Sequence, residues 1–174
     1  MISFLDIGTK GGSSLRWCGE KFGTDPIEGV GIDIRERFFP SATKRGYRVA
    51  KMDALHLGFK DKSFRFCIMS EFLEHMPTAL EAVTAVGEAK RVTREFIYII
   101  NPNFRYERYL SGLGLKFSWS TWKCHTLKLD KGLLFSIVRN HFSYGTVWVL
   151  ETTPILDSSH REIVPLTAPY DAIH

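Results

Sequence analysis

The stretch FLDIGTKGG, Phe4 to Gly12, decides how this chain reads. A short apolar run carrying an acid at Asp6 breaks into Gly8, Gly11 and Gly12, the pattern of a strand entering a loop that another group approaches closely. Ser13 and Ser14 follow as candidate helix caps, and Leu15, Cys18 and Phe22 recur at helical spacing, so a helix is expected just after the glycines. Strand, glycine loop and helix make up the first half of a βαβ unit. Lys10 interrupts the glycines.

Working outward, apolar, β-branched or aromatic runs recur at Ile2 to Ile7, Gly29 to Ile34, Tyr47 to Met52, Phe64 to Ser70 and Glu95 to Ile100. Helix-compatible segments separate them, and that alternation predicts a parallel sheet with helical crossovers. Thr78 and Glu81 form a capping-box signature ahead of Ala79, Ala82, Val83, Val86 and Ala89 on one helical face. Residues 103 to 125 are rich in Phe, Tyr, Trp, Arg and Lys without a clean period, and read as an irregular insert over the sheet edge. Asp130 is placed to cap a helix carrying Leu133, Leu134, Ile137 and Val138, and TVWVLET (Thr146 to Thr152) reads as a further strand. The extended piece Arg161 to Leu166 contains Pro165, so it either ends at Val164 or lies at an edge.

Composition narrows the class. At 174 residues the simplest reading is a single domain, 1–174, with enough chain to bury a core without disulfides. The apolar fraction of 44% and charged fraction of 24% are ordinary for a globular protein, and no apolar run approaches the roughly 20 residues of a membrane span. No leader pattern opens the sequence, so a cytoplasmic location is expected. Cys18, Cys67 and Cys124 form no CxxC pair; each reads as a small core residue, and no metal site is expected. The net charge of +4 comes from scattered Lys and Arg, so nucleic acid is not expected as a partner, although Arg105, Arg108, Lys116 and Lys123 lie among the aromatics of the insert.

The residues with chemistry fall at expected strand ends, where ligands bind in an open parallel sheet. Asp6 and the glycines close the first strand, Asp33 the second, Asp53 follows the third, and Ser70 and Glu71 close the fourth. A carboxylate at the second strand end has two acceptor oxygens for the hydroxyls of a ribose, which suits Asp33. Asp53, in MDAL, is placed to accept from an exocyclic amine while the amide of Ala54 or Leu55 donates to a ring nitrogen. A dinucleotide fingerprint counted from Gly8 needs glycines where Lys10 and Ser13 stand, and the phosphate-loop pattern GxxxxGK[ST] is absent.

Taken together, DIGTKGG, the acid of GVGIDI, the acid of MDALHL and the segment FKDKSFRFCIMSEFLEHM resemble the class I S-adenosylmethionine-dependent methyltransferases over roughly residues 3 to 102. The resemblance implies a Rossmann-like, doubly wound, mostly parallel α/β sheet of about seven strands with helices on both faces. It implies S-adenosylmethionine as cofactor, with Asp6, Gly8, Thr9, Lys10, Gly11 and Gly12 near its methionine part and Asp33 at the ribose. Ile34 is then expected against the adenine face, Asp53 and Ala54 at the adenine edge, and Ser70, Glu71 and Phe72 beside the methyl. The implied reaction is methyl transfer; with no basic groove of regularly spaced stacking aromatics in the sequence, oxygen or nitrogen of a small-molecule acceptor is expected to receive it.

Three departures qualify the likeness. Thr9 and Lys10 replace small residues inside the loop, Arg65 stands where many relatives have an acid, and the helical segment usual ahead of the first motif is not in this sequence. Either the pocket is unusually open, or the insert 103–125, a partner subunit or a second copy in a homo-oligomer covers that side. His75 and His125 are the candidate catalytic groups: His75 as general base, although a Glu-His pair before Met76 and Pro77 also suits the end of a helical turn, and His125 facing an acceptor after Trp119 and Trp122. Lys10 is a candidate partner for the cofactor carboxylate or a solvated loop residue. The competing functional class is a non-catalytic S-adenosylmethionine-binding or regulatory subunit of a complex.

Overall fold

The computed structural model describes residues 4–23, 25, 28–143, 145–150 and 161–169. Five parallel strands form its sheet: β1 (Phe4–Ile7), β2 (Gly29–Asp33), β3 (Arg48–Lys51), β4 (Phe64–Ser70) and β5 (Thr93–Ile100), in the order β3-β2-β1-β4-β5. The direction of winding reverses between β1 and β4, which opens a crevice at their carboxyl ends. This doubly wound, Rossmann-like class matches the expectation. The count does not: among the described residues the main sheet has five strands rather than seven.

Alternation along the strands separates two apolar layers. Leu5 and Ile7 of β1 join Ile32, Cys67 and Met69 in one buried cluster, whereas Phe4 joins Phe66 and Ile68 in the other. Successive strand side chains point to opposite faces, so one short run serves both layers. Helix α1 (Ser13–Phe22) covers the second layer with Leu15 and Cys18, both wholly buried. Burying a leucine this completely contributes roughly 1.5–3 kcal/mol. Helix α3 (Ala79–Val92) covers the first with Ala82, Ala85, Val86 and Ala89, small residues that allow close packing on the sheet.

Local signals explain where these helices begin. The backbone N–H of Glu81 donates to Thr78 Oγ1, the first bond of the capping box, while Glu81 Oε2 accepts from the Thr78 hydroxyl rather than from the Thr78 backbone N–H. Asp130 Oδ1 accepts from Leu133 N at the start of α5 (Lys131–Arg139), which packs on α3 through Ile137. At α1 the expected serine caps are corrected. Gly12, at φ 83°, is the N-cap, and both serines lie inside the helix. A side chain is disfavoured there by the left-handed backbone and by Tyr47, whose ring a Cβ would meet at 2.7 Å.

The stretch 103–125 is more ordered than its composition implies, holding the short α4 (Glu107–Gly112) and β6 (Leu115–Phe117). β6 pairs antiparallel with β7 (Ile163–Pro165), placing Pro165 opposite Leu115. Proline is accommodated because β7 has β6 as its single neighbour in a two-stranded sheet. Among the described residues, 146–150 pair with no strand, and Trp148 and Leu150 are exposed; Glu151 and Thr152, the rest of that expected strand, lie outside the described residues. Alternation makes a strand only where a neighbour supplies the ladder. Helix α2 (Phe39–Thr43) flanks β3.

Candidate functional site

The loop after β1 is assembled by contacts across the strand ends. Gly8 N and Thr9 N both donate to the carbonyl of Ile32, which holds the loop over β2. Gly8 has φ 80°, and a Cβ there would lie 2.5 Å from Phe72 Cδ2. Thr9, where relatives carry a small residue, fits because Gly31 leaves room: a Cβ on Gly31 would meet Thr9 Oγ1 at 2.5 Å. Thr9 is thereby buried. Lys10 adopts φ 47°, uncommon for a residue with a side chain, and its backbone N–H reaches Asp33 Oδ2 at 3.2 Å.

Asp6 lies beneath this loop, fully buried. Its Oδ2 accepts from the Ser14 hydroxyl, and its Oδ1 has no hydrogen-bonding partner. Burial raises its carboxyl to about 6, an effect the Ser14 bond partly offsets. Above it, Gly8, Thr9, Lys10, Ser13, Ser14 and Trp17 form one wall of a cleft of about 300 Å³, and Ser70, Glu71 and Ile100 form the other. Ser13, Ser14, Trp17 and Ile100 escaped the sequence reading as lining residues. The signal was present in part, since Ser14 and Trp17 start the helix that the glycine loop feeds.

Asp33 is buried at the end of β2, and its carboxylate is already engaged. Oδ1 accepts from Arg35 N at 2.8 Å and Arg35 Nε at 3.2 Å, while Oδ2 takes Lys10 N. Ile34 beside it is exposed, free to cover a flat ligand. Asp53 is exposed; its Oδ1 accepts from Leu55 N at 2.9 Å, so Leu55's amide serves Asp53 while Ala54 packs into the core. Asp33 and Asp53 do not line the 300 Å³ cleft; they continue the same row of strand ends beyond it. Arg65, the remaining departure, pairs with Glu95 at 2.8 Å on the surface.

At the end of β4, Glu71 has φ 50° and turns the chain into a single 3-10 turn, Leu73–His75. Glu74 is completely buried. Its Oε2 accepts from Asn101 Nδ2, and Oε1 has no hydrogen-bonding partner. Burial and neighbouring Glu71 push its carboxyl up. His75 and His125, far apart in sequence, come together with ring centroids 5.1 Å apart. His75 Nδ1 bonds the Cys124 carbonyl at 2.8 Å. Burial lowers both imidazoles, His125 to about 4 with His75 adding to the effect, so both rings are neutral near pH 7. His125 is buried between Phe104 and Trp122 rather than open to an acceptor. Cys124 is exposed, unlike buried Cys18 and Cys67, which corrects its reading as a core residue.

Two acids end parallel strands beside a glycine loop, and the crevice between β1 and β4 is lined by polar groups: this is the architecture of a nucleoside-cofactor site in a doubly wound sheet. The methyltransferase domain family matches residues 5–98, more than half of the chain, and the chain belongs to that family. S-adenosylmethionine is accordingly its cofactor. The fit is physical as well: Lys10, Glu71 and the hydroxyls that line the cleft suit a ligand with a zwitterionic end.

Solved structures share the fold. A SAM-dependent methyltransferase from Methanosarcina mazei matches at 20% identity over 79% of this chain and 77% of its own, with a TM-score of 0.62. A SAM-dependent methyltransferase from Archaeoglobus fulgidus matches at 22% identity over 79% of this chain, with a TM-score of 0.61, and the match spans 59% of that protein. A structure of the Haloferax volcanii Trm112 methyltransferase activator with its partner matches at 14% identity over 79% of this chain and 59% of the other, with a TM-score of 0.61. No curated protein matches the chain. Among the described residues no helix is long and apolar enough to cross a membrane.

Proposed function

We propose that this chain transfers the methyl group of S-adenosylmethionine to an oxygen or nitrogen of a small-molecule acceptor. The observation that carries this reading is the polar cleft between β1 and β4, whose walls bring Lys10, Ser14, Ser70 and Glu71 together over buried Asp6. When bound, the cofactor supplies a methyl group already activated by a cationic sulfur. The protein's work is then orientation and exclusion of water.

In this reading Gly8 to Gly12 admit the methionine end, Lys10 pairs with its carboxylate, and Asp6 and Glu71 face its ammonium. Asp33 holds the ribose hydroxyls, for which Arg35 Nε gives up its bond to Oδ1. Ile34 covers the adenine, Asp53 and Ala54 meet its edge, and Ser70 and Phe72 border the methyl. His75 is the group available to take a proton from the acceptor: Nδ1 bound to the Cys124 carbonyl acts as donor, which leaves the lone pair on Nε2. The insert 103–125 covers the acceptor side, delivering His125 beside His75.

A partner is part of this proposal. The Haloferax volcanii structure shows a protein of this fold with an activator, and here Tyr106, Tyr109 and Leu113 of the insert are exposed. A partner subunit or second copy that covers them would appear as a larger mass in light scattering.

Calorimetric titration with S-adenosylmethionine and S-adenosylhomocysteine, with Asp33→Ala as control, tests the cofactor site. Binding by the intact chain that is lost in the variant is the expected result; no binding of either compound overturns the reading. Turnover against a panel of hydroxyl and amine acceptors then separates an enzyme from a cofactor-binding regulatory subunit.

A further inference from the structure

Two dipeptides, Glu74–His75 and Cys124–His125, are brought side by side by three hydrogen bonds. The His75 ring bonds the Cys124 carbonyl at 2.8 Å, Thr126 Oγ1 donates to the Met76 carbonyl at 2.8 Å, and Leu127 N donates to the Glu74 carbonyl at 3.0 Å. The ligand atoms of His75, Cys124 and His125 consequently lie within 4.8 Å of one another. Glu74 Oε1 lies beside the two imidazoles, outside that set of three. It stands 3.8 Å from His75 Nε2 and 4.0 Å from His125 Nε2, and accepts no hydrogen bond.

Those separations are too long for hydrogen bonds. Around one ion, bonds of about 2.0–2.3 Å in a tetrahedron place ligand atoms roughly 3.3–3.6 Å apart. With the three ligand atoms within 4.8 Å of one another, closing the widest gap takes roughly 0.6 Å per side chain, a rotamer adjustment. The outer contacts already have the needed form: the Cys124 carbonyl fixes the His75 tautomer with its lone pair on Nε2, and Asn101 holds the other oxygen of Glu74.

We propose that His75, Cys124 and His125 form a binding site for one divalent transition-metal ion of the zinc class, with Glu74 beside both imidazoles. Two imidazoles and one thiolate suit zinc or cobalt and disfavour magnesium and calcium, which take oxygen ligands. Held by these three groups, the ion fixes the segment after β6 against the end of β4. With the ion bound, the lone pair of His75 is committed to it, so proton transfer to His75 in the proposed reaction belongs to the metal-free chain. The spacing rules that find zinc knuckles are blind to this site because its halves are 49 residues apart.

The test uses the full chain stripped of metal by a chelator and titrated with zinc sulfate alone, then with cobalt chloride. The expected result is one ion per chain, with a sulfur-to-cobalt charge-transfer band and the intense visible bands of tetrahedral cobalt. Cys124→Ser and His125→Gln should each weaken zinc binding by at least about 100-fold, more than loss of an outer contact costs. His56→Gln, an exposed histidine elsewhere, should leave it unchanged. Cys124 is exposed, so its variant is expected to fold, and circular dichroism checks this. Absence of stoichiometric binding, a cobalt spectrum without the thiolate band, or equal affinity in folded Cys124→Ser overturns the site. Cofactor titration of the same samples reads the methyltransferase site separately.

Discussion

The backbone N–H of Lys10 donates to Oδ2 of Asp33 across 3.2 Å, fastening the glycine loop to the end of β2. Asp33 is thus a joint between two strand ends as well as a candidate ribose ligand. Two substitutions separate these roles. Asp33→Ala leaves the half-buried amides of Lys10 and Arg35 without their acceptor, and is expected to lower unfolding stability by about 1–2 kcal/mol and weaken cofactor binding more than about tenfold. Lys10→Ala keeps the amide and removes only the ammonium, so it should weaken S-adenosylmethionine by several-fold with little change in denaturation midpoint. Equal affinity for wild type and Lys10→Ala in calorimetry would leave Lys10 a solvated loop residue.

Asp6 gives the protein a pH dependence of definite sign. Its carboxyl holds a proton up to about pH 6 when folded and to about 3.8 when exposed. Between those values the native state binds more protons, so the stability associated with Asp6 is fully present below pH 3.8 and falls as the pH rises through 6. The shift corresponds to roughly 3 kcal/mol. Asp6→Asn keeps an oxygen for the Ser14 hydroxyl and cannot ionise. Urea titrations of both proteins at pH 4 to 7 should show the variant gaining on wild type by this order across the window; a difference that does not vary with pH contradicts the assignment.

Gly8→Ala tests the close approach of the loop to the β4 end. The added methyl meets Phe72 Cδ2 at 2.5 Å in a backbone with φ 80°, so strain of roughly 1–2 kcal/mol and overpacking of roughly 1–3 kcal/mol are expected together. The two are separable in a double-mutant cycle with Phe72→Ala, which removes the contact and leaves the dihedral strain. A coupling of at least about 1 kcal/mol is the expected result. Strict additivity would show that the loop moves away from Phe72 at no cost.

The frame of the fold was legible because it is written locally. The apolar runs at β1, β2 and β4 sit within one or two residues of the observed strands, and Thr78 and Asp130 cap their helices as their spacing implies. Positions defined by a partner across space were not. Thr9 looked out of place until Gly31, in the next strand, was seen to make room for it. Cys124 and His125 read as unrelated to Glu74 and His75 because only the folded chain joins them. Residues 146–150 show the converse: a strong strand pattern without a ladder among the described residues.

Arg91 shows how the turn that follows Asp53 is held in place from α3. Its guanidinium donates to the carbonyls of Leu57 and Phe59, to Asp61, and to both oxygens of Glu88, all at 2.7–2.9 Å. Glu88 in turn accepts from Leu57 N at 2.7 Å, and its bond from Arg91 holds its carboxyl below the usual range. A planar fork reaches these acceptors at once, which a single ammonium does not. Arg91→Ala is therefore expected to lower unfolding stability by about 2–3 kcal/mol, since buried carbonyls and a carboxylate lose their donor. Arg91→Lys should recover less than half of that loss in urea denaturation. Full recovery by lysine would mean that charge alone, rather than the fork, fixes residues 57 to 61 beside the proposed adenine edge.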